Sequence, residues 1–184
     1  MKTILTLFSL LFAFFFIFIS CNRTEKRLIK ELEEIYSHKV ELDLSKMVKV
    51  SKTNAKQLTC DNKYRYIIYF DSLQCSSCVI DKLFLAEGIQ NDMKKLNYDV
   101  DFVFIFSTKK SIKTINEAYY NSRCHYPIYI DTLNHFISEN IFIPANSMLH
   151  AFFIDKNGTI LFVGNPLTNT NIEKLLFEKL ESMK

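Results

Sequence analysis

Two runs, Tyr64–Phe70 (YRYIIYF) and Asp99–Ser107 (DVDFVFIFS), restrict this chain more than any other feature. Both are dense in aromatic and β-branched residues, and both are too short for a core helix. Their apolar positions are consecutive rather than alternate, the mark of strands buried on both faces of a sheet that helices cover. Between them Val79, Leu83, Ala86 or Glu87, Ile89 and Met93 recur in near-helical rhythm, which predicts one helix from Ser76 toward Leu96 and so a β-α-β unit.

The rest of the chain extends that unit. SIKTINEAYYNSR reads as a helix, YPIYID as a third short strand and TLNHFISEN as a brief helix. LHAFFID, the turn KNG and TILFVGN then predict a strand, tight turn and strand, with Asn157-Gly158 supplying left-handed backbone. NIEKLLFEKLES closes the chain as a helix capped by Asn169 or Thr170. Upstream, Leu28, Leu32 and Ile35 sit at helical spacing among charges and predict a surface helix. Val40 to Val50 alternates enough for one or two short strands, and Lys46 to Lys56 is polar enough to include a loop. The sum is an α/β fold: a mixed sheet with helices on both faces and a C-terminal β-hairpin plus helix.

At 184 residues the chain suits one globular domain with additions. Its charge of +3 is spread through alternating acids and bases, so no arm suited to nucleic acid stands out. Residues 1–20 divide from the rest: Lys2 is followed by ILTLFSLLFAFFFIFIS, ending at Cys21. As a helix, Ile4 to Ile19 would span about 24 Å at about 1.5 Å per residue, against roughly 30 Å of hydrocarbon. The stretch resembles a bacterial lipoprotein signal, which implies cleavage before Cys21 and a lipid on that residue. A cleaved ordinary signal and a short anchor are the other readings, and all three place the domain outside the cytoplasm. The expected organisation is a signal peptide over 1–20, a tether and helix over 21–38, and the main domain over 39–184, held at the extracytoplasmic face of a bacterial membrane in the cell envelope.

An oxidising compartment lets disulfides persist. Beyond Cys21 the cysteines are Cys60, Cys75, Cys78 and Cys124. Cys75-Ser76-Ser77-Cys78 falls where the first long strand hands over to its helix. A thiol in a first helical turn faces unpaired N–H groups, which stabilise its thiolate and lower its pKa below about 8.5. Cys75 is placed to attack, and Cys78, a turn deeper, to resolve the mixed disulfide. Ser76 and Ser77 add donors without bulk.

From about Tyr64 to Lys184 the chain resembles the thioredoxin fold, and its expected setting is similar to the TlpA-like branch of thiol:disulfide oxidoreductases. The matching pieces are YIIYFDSLQCSSC and FFIDKNGTILFVG. The resemblance implies a redox-active centre with Cys75 as attacking thiol and Cys78 as resolving thiol. It implies protein thiols or disulfides as partners, with no metal and no organic cofactor. Where the family has Trp before its first Cys, this chain has Leu73 and Gln74. Where the family has a cis-proline before the FLID strand, SMLHAFFID offers Leu149 and His150, which become candidate site-lining residues.

Other readings stay open on the residues alone. The pair could be a permanent disulfide or, with Cys60, Cys124 and His125, part of a zinc site. Ser72, three before Cys75, is also compatible with peroxidatic chemistry. Cys60 and Cys124 read first as buried small residues, and a bond between them is a further option. His150 reads first as a strand residue with satisfied hydrogen bonds, and Asp155 as a turn residue. The alternative to an oxidoreductase is a non-catalytic binding module on the same scaffold.

Overall fold

The computed structural model describes residues 24–59, 62–71, 76–107 and 112–184. The leader, Cys21, Cys60, Ser72 and Cys75 lie outside them. Among the described residues no helix is long and apolar enough to cross a membrane.

The strands are β1 (Val48–Val50), β2 (Tyr64–Phe70), β3 (Val100–Ser107), β4 (Ile128–Asp131), β5 (Ala151–Asp155) and β6 (Ile160–Val163). They form one sheet in the order β1-β4-β3-β2-β5-β6. The pairs β2–β3 and β3–β4 are parallel, and β1, β5 and β6 each pair antiparallel with their neighbours. The helices are α1 (residues 24–36), α2 (Ser76–Ile80), α3 (Ala86–Lys95), α4 (Ile112–Asn121), α5 (His135–Glu139) and α6 (Thr170–Ser182).

The consecutive apolar runs are explained by where they lie. β3 is buried at all eight positions because helices cover both sides of the sheet. In β2 the pleat sends Tyr66, Ile68 and Phe70 to the side packed by α3, α4 and α6. Ile67 and Tyr69 go to the side packed by Ile35 of α1 and Phe136 of α5. Tyr66 stacks on Phe102 and Phe153, with ring centroids 5.3 and 5.8 Å away. Its hydroxyl donates to the Gly164 carbonyl at 2.7 Å, so a fully buried polar group keeps a partner.

Three expectations are corrected. The single helix from Ser76 to Leu96 is broken into α2, a 3₁₀ turn at Leu83–Leu85 and α3. Ile80, Leu83 and Ala86 are all at most 1% exposed. Their repeat of three suits 3₁₀ geometry, in which residues three apart eclipse one another. Of the one or two short strands expected over Val40 to Val50, one is present, β1 at Val48–Val50, and the stretch ahead of it is not a strand. Asp43 caps a 3₁₀ turn at Leu44–Lys46, and the amide of Asn140 accepts from Glu41 N at 2.8 Å and donates to Glu41 O at 2.9 Å. In the hairpin, Gly158 alone of the Asn157-Gly158 pair is left-handed, at φ +78°. The Asp155 carboxylate accepts from Asn157 N and Thr159 N, as a turn residue should. A Cβ on Gly158 would lie 2.5 Å from the Val40 carbonyl oxygen, so space as well as φ demands glycine. Asn169 is the cap of α6, accepting from Asn171 N and Ile172 N.

Candidate redox site

β2 lies inside the sheet between β3 and β5, and its C-terminal end leads into α2. Cys78 is the third residue of α2 and is exposed. Ile80, two positions on, is fully buried and fixes the helix by its opposite side. Ser76 and Ser77 open α2, and Cys75 precedes it, outside the described residues.

Beside Cys78 is a small hollow of about 100 Å³ whose floor is Phe70, Val79, Leu83 and Leu167. Phe70 is there because it ends β2 on the α2 side, stacked 4.7 Å from Phe106. A second hollow of about 230 Å³ adjoins it, sharing Phe70, Val79, Asn165 and Thr168 and adding Ser147 and Met148. Gly164, at φ +142°, turns the chain from β6 into the Asn165–Asn169 loop, where a Cβ would lie 2.7 Å from the Ile172 side chain.

Of the segment before β5, Ser147 and Met148 line the second hollow, and Leu149 and His150 are not among the described residues that line either hollow. Leu149 is 6% exposed and belongs to the core on the other side of the sheet. His150 precedes β5 rather than lying in it, and its bonding is incomplete. Its Nε2 is 2.7 Å from the Pro144 carbonyl oxygen, which makes Nε2 the donor, while the buried Nδ1 has no hydrogen-bond partner among the described residues. The ring meets Tyr69 edge-on at 5.4 Å. Burial holds the Tyr69 phenol above its ordinary pKa, partly offset by a hydrogen bond with Ser107. Ser107 also donates to the side chain of Asn134.

Among the described residues no group of three His, Cys, Asp or Glu side chains could hold a metal. Cys124 is a fully buried thiol donating to the Tyr126 carbonyl at 3.5 Å. The residues that reasoning from sequence missed are Phe70, Met148, Asn165, Leu167 and Thr168. The Asn165-Pro166 step after the second hairpin strand was the available signal that this loop turns sharply at the same end as α2.

No protein-family model matches the sequence, and no curated protein is similar to it in sequence. Solved structures are similar in fold. One is the thioredoxin domain of a thiol-disulfide oxidoreductase from Bacteroides vulgatus, at 12% identity and TM-score 0.44, over 70% of this chain and 92% of that one. Another is a thioredoxin-like protein from Porphyromonas gingivalis, at 18% identity and TM-score 0.43, over 73% and 88%. A third is a thioredoxin-like protein from Bacteroides caccae, at 13% identity and TM-score 0.46, over 87% and 55%. Strand order, the parallel β2–β3–β4 core and the terminal β5–β6 hairpin with α6 make the fold of this chain thioredoxin-like.

Proposed function

We propose that this chain is a membrane-anchored, extracytoplasmic thiol:disulfide oxidoreductase working through Cys75 and Cys78. The observation that carries the reading is the placement of Cys78: exposed, on the helix that follows an interior strand, beside an apolar hollow that could seat part of a partner. α2 has only five residues, so local N–H groups rather than a long macrodipole would favour the Cys75 thiolate.

The Cys75 thiolate attacks one sulfur of a partner's disulfide. A mixed disulfide forms, and the partner's other sulfur leaves as a thiolate that takes a proton. Cys78, as thiolate, then attacks the Cys75 sulfur, closing the internal disulfide and releasing the partner's second thiol. The partner gains two electrons and two protons, and the cysteine pair loses them. Run backwards, the same steps oxidise a partner, and the potential of the pair against its compartment sets the direction. Lipidation of Cys21 would tether the domain where such partners fold. A mature chain whose mass shows Cys21 at its N-terminus carrying lipid supports that part, and a mature chain with Cys21 unmodified or absent removes it.

The test of the chemistry is exchange of the full chain with dithiothreitol and glutathione, together with the pH dependence of Cys75 alkylation. An unreactive Cys75 with an ordinary thiol pKa sinks the reading. A second reading, a binding module without turnover, draws on Leu149, which is turned into the core where the resembled family presents proline at its substrate edge. Full biological activity in a Cys75→Ser chain would favour it.

A further inference from the structure

We infer that the disulfide partners of this chain are recognised through an extended segment carrying an apolar side chain near its cysteine and a basic residue further along. This rests on the redox reading and adds a substrate class to it. The hollow at Cys78 continues along the protein. It shares Leu167 and Thr168 with a third hollow, of about 360 Å³, that lies between α3 and the start of α6. The Asn165–Asn169 loop thus forms one wall of a groove with Cys78 near one end and Asp92 and Glu173 at the other.

The groove has a chemical polarity. At the cysteine end its floor is apolar and Lys82 stands on its rim. At the far end two carboxylates face the same hollow. Asp92 is paired with Lys95 at 2.6 Å, whereas Glu173 forms no ion pair among the described residues. A basic side chain would be repelled beside Lys82 and attracted beside Glu173, so charge fixes which way a bound segment runs. The positive end of α6 opposes a cation there, but the Asn169 side chain already accepts from two of its N–H groups.

The test uses the full chain in detergent micelles and synthetic disulfide peptides with Leu beside the cysteine and Lys, Ser or Glu two to four positions away. At low salt the Lys peptides should exchange about two- to fivefold faster than the Glu peptides, the size of an exposed charge contact. The gap should close at high salt. Glu173→Gln should remove the preference and Glu173→Lys reverse it. Glu178→Gln, on the same helix and outside the groove, should leave it intact. Exchange with dithiothreitol should be the same in every variant. Equal rates for the Lys and Glu peptides, or a Lys preference that survives Glu173→Lys, overturn the inference while leaving the redox reading standing. Loss of dithiothreitol exchange in the unmodified chain overturns both.

Discussion

Cys78 and Cys124 carry the same side chain into opposite surroundings. Cys78 is exposed on a short helix beside a hollow with an apolar floor. Cys124 follows α4, is fully buried, and has its thiol pushed up to about 11 by burial. Lys52 lies near enough to pull that value down, and so does the hydrogen bond with the Tyr126 backbone, yet neither overcomes desolvation. The Lys52 ammonium is already engaged, donating to the Ser122 carbonyl at 2.7 Å and lying 5.2 Å from the centre of the Tyr119 ring. A cation therefore activates a thiol only where water, or a surface that replaces it, also solvates the sulfur. Position in the fold, more than residue type, separates an accessible cysteine from a packing residue.

The largest effect should come from removing one member of the proposed pair. Cys78→Ser should abolish multiple turnover and accumulate one mixed disulfide per chain on Cys75, seen as a mass increment that reductant reverses. Cys124→Ser should leave turnover unchanged, and loss of exchange in that variant would break the contrast. The next effect is in alkylation, followed site by site by peptide mass at pH 8. A thiol titrating near 11 is about one part in a thousand thiolate there, so Cys124 should react at least about a hundredfold more slowly than Cys78 in the reduced native chain. Comparable rates at the two sites would show that Cys124 is not held in the core.

The fold was legible because its strands are over-determined. Phe102, Val103, Phe104, Ile105 and Phe106 leave only a strand covered on both sides, and Gly158 and Asp155 mark a hairpin that no helical pattern competes with. Helix continuity was less legible. Val79, Leu83, Ile89 and Met93 fit a single helix, and only the tertiary demand that Ile80, Leu83 and Ala86 all face the core reveals the 3₁₀ turn. The candidate site was legible where neighbouring residues make it, at Cys78 after β2. It was not legible where remote segments converge. Phe70, Met148 and Leu167 meet around one groove only because β5 runs antiparallel beside β2 and β6, beyond it, brings the chain back to the end from which α2 leaves, and no local pattern records that meeting. His150 was open to two readings, a residue lining the cysteine site or an ordinary strand histidine; the ring reaches back to Pro144, and among the described residues its other nitrogen has no partner.

Alkaline pH sharpens the contrast further. The Cys124 thiol has a folded-state pKa raised above its unfolded value, so between the two the folded chain holds a proton that the unfolded chain has lost. Stability from this group is fully present below the unfolded pKa and disappears as pH rises through about 11, by up to about 3 kcal/mol. Tyr119, pushed up to about 12 by burial, extends the same trend to higher pH. Cys124→Ala should cost about 1 to 2 kcal/mol at neutral pH through the small void it leaves. It should also make denaturant stability fall less steeply between pH 8.5 and 11 than in the unmodified chain. An unchanged slope would mean that Cys124 is not the group responsible.

The smallest expected effect tests the groove wall alone. Asn169→Ala removes the side chain that accepts from Asn171 N and Ile172 N, at a cost of about 1 kcal/mol. The loss falls on the first turn of α6, where Ile172 closes the hollow shared by Phe70 and Val79. Exchange with the disulfide peptides should slow while exchange with dithiothreitol is kept, because the small dithiol does not need the wall. The Leu176 and Leu180 contacts hold the rest of α6 to the sheet, and both are fully buried. Cys124 alkylation should therefore rise only by the roughly fivefold that a global destabilisation of about 1 kcal/mol allows. A larger rise at Cys124 than at the groove would mean that α6 and α4 open together, and that the two cysteines do not occupy separately stable regions.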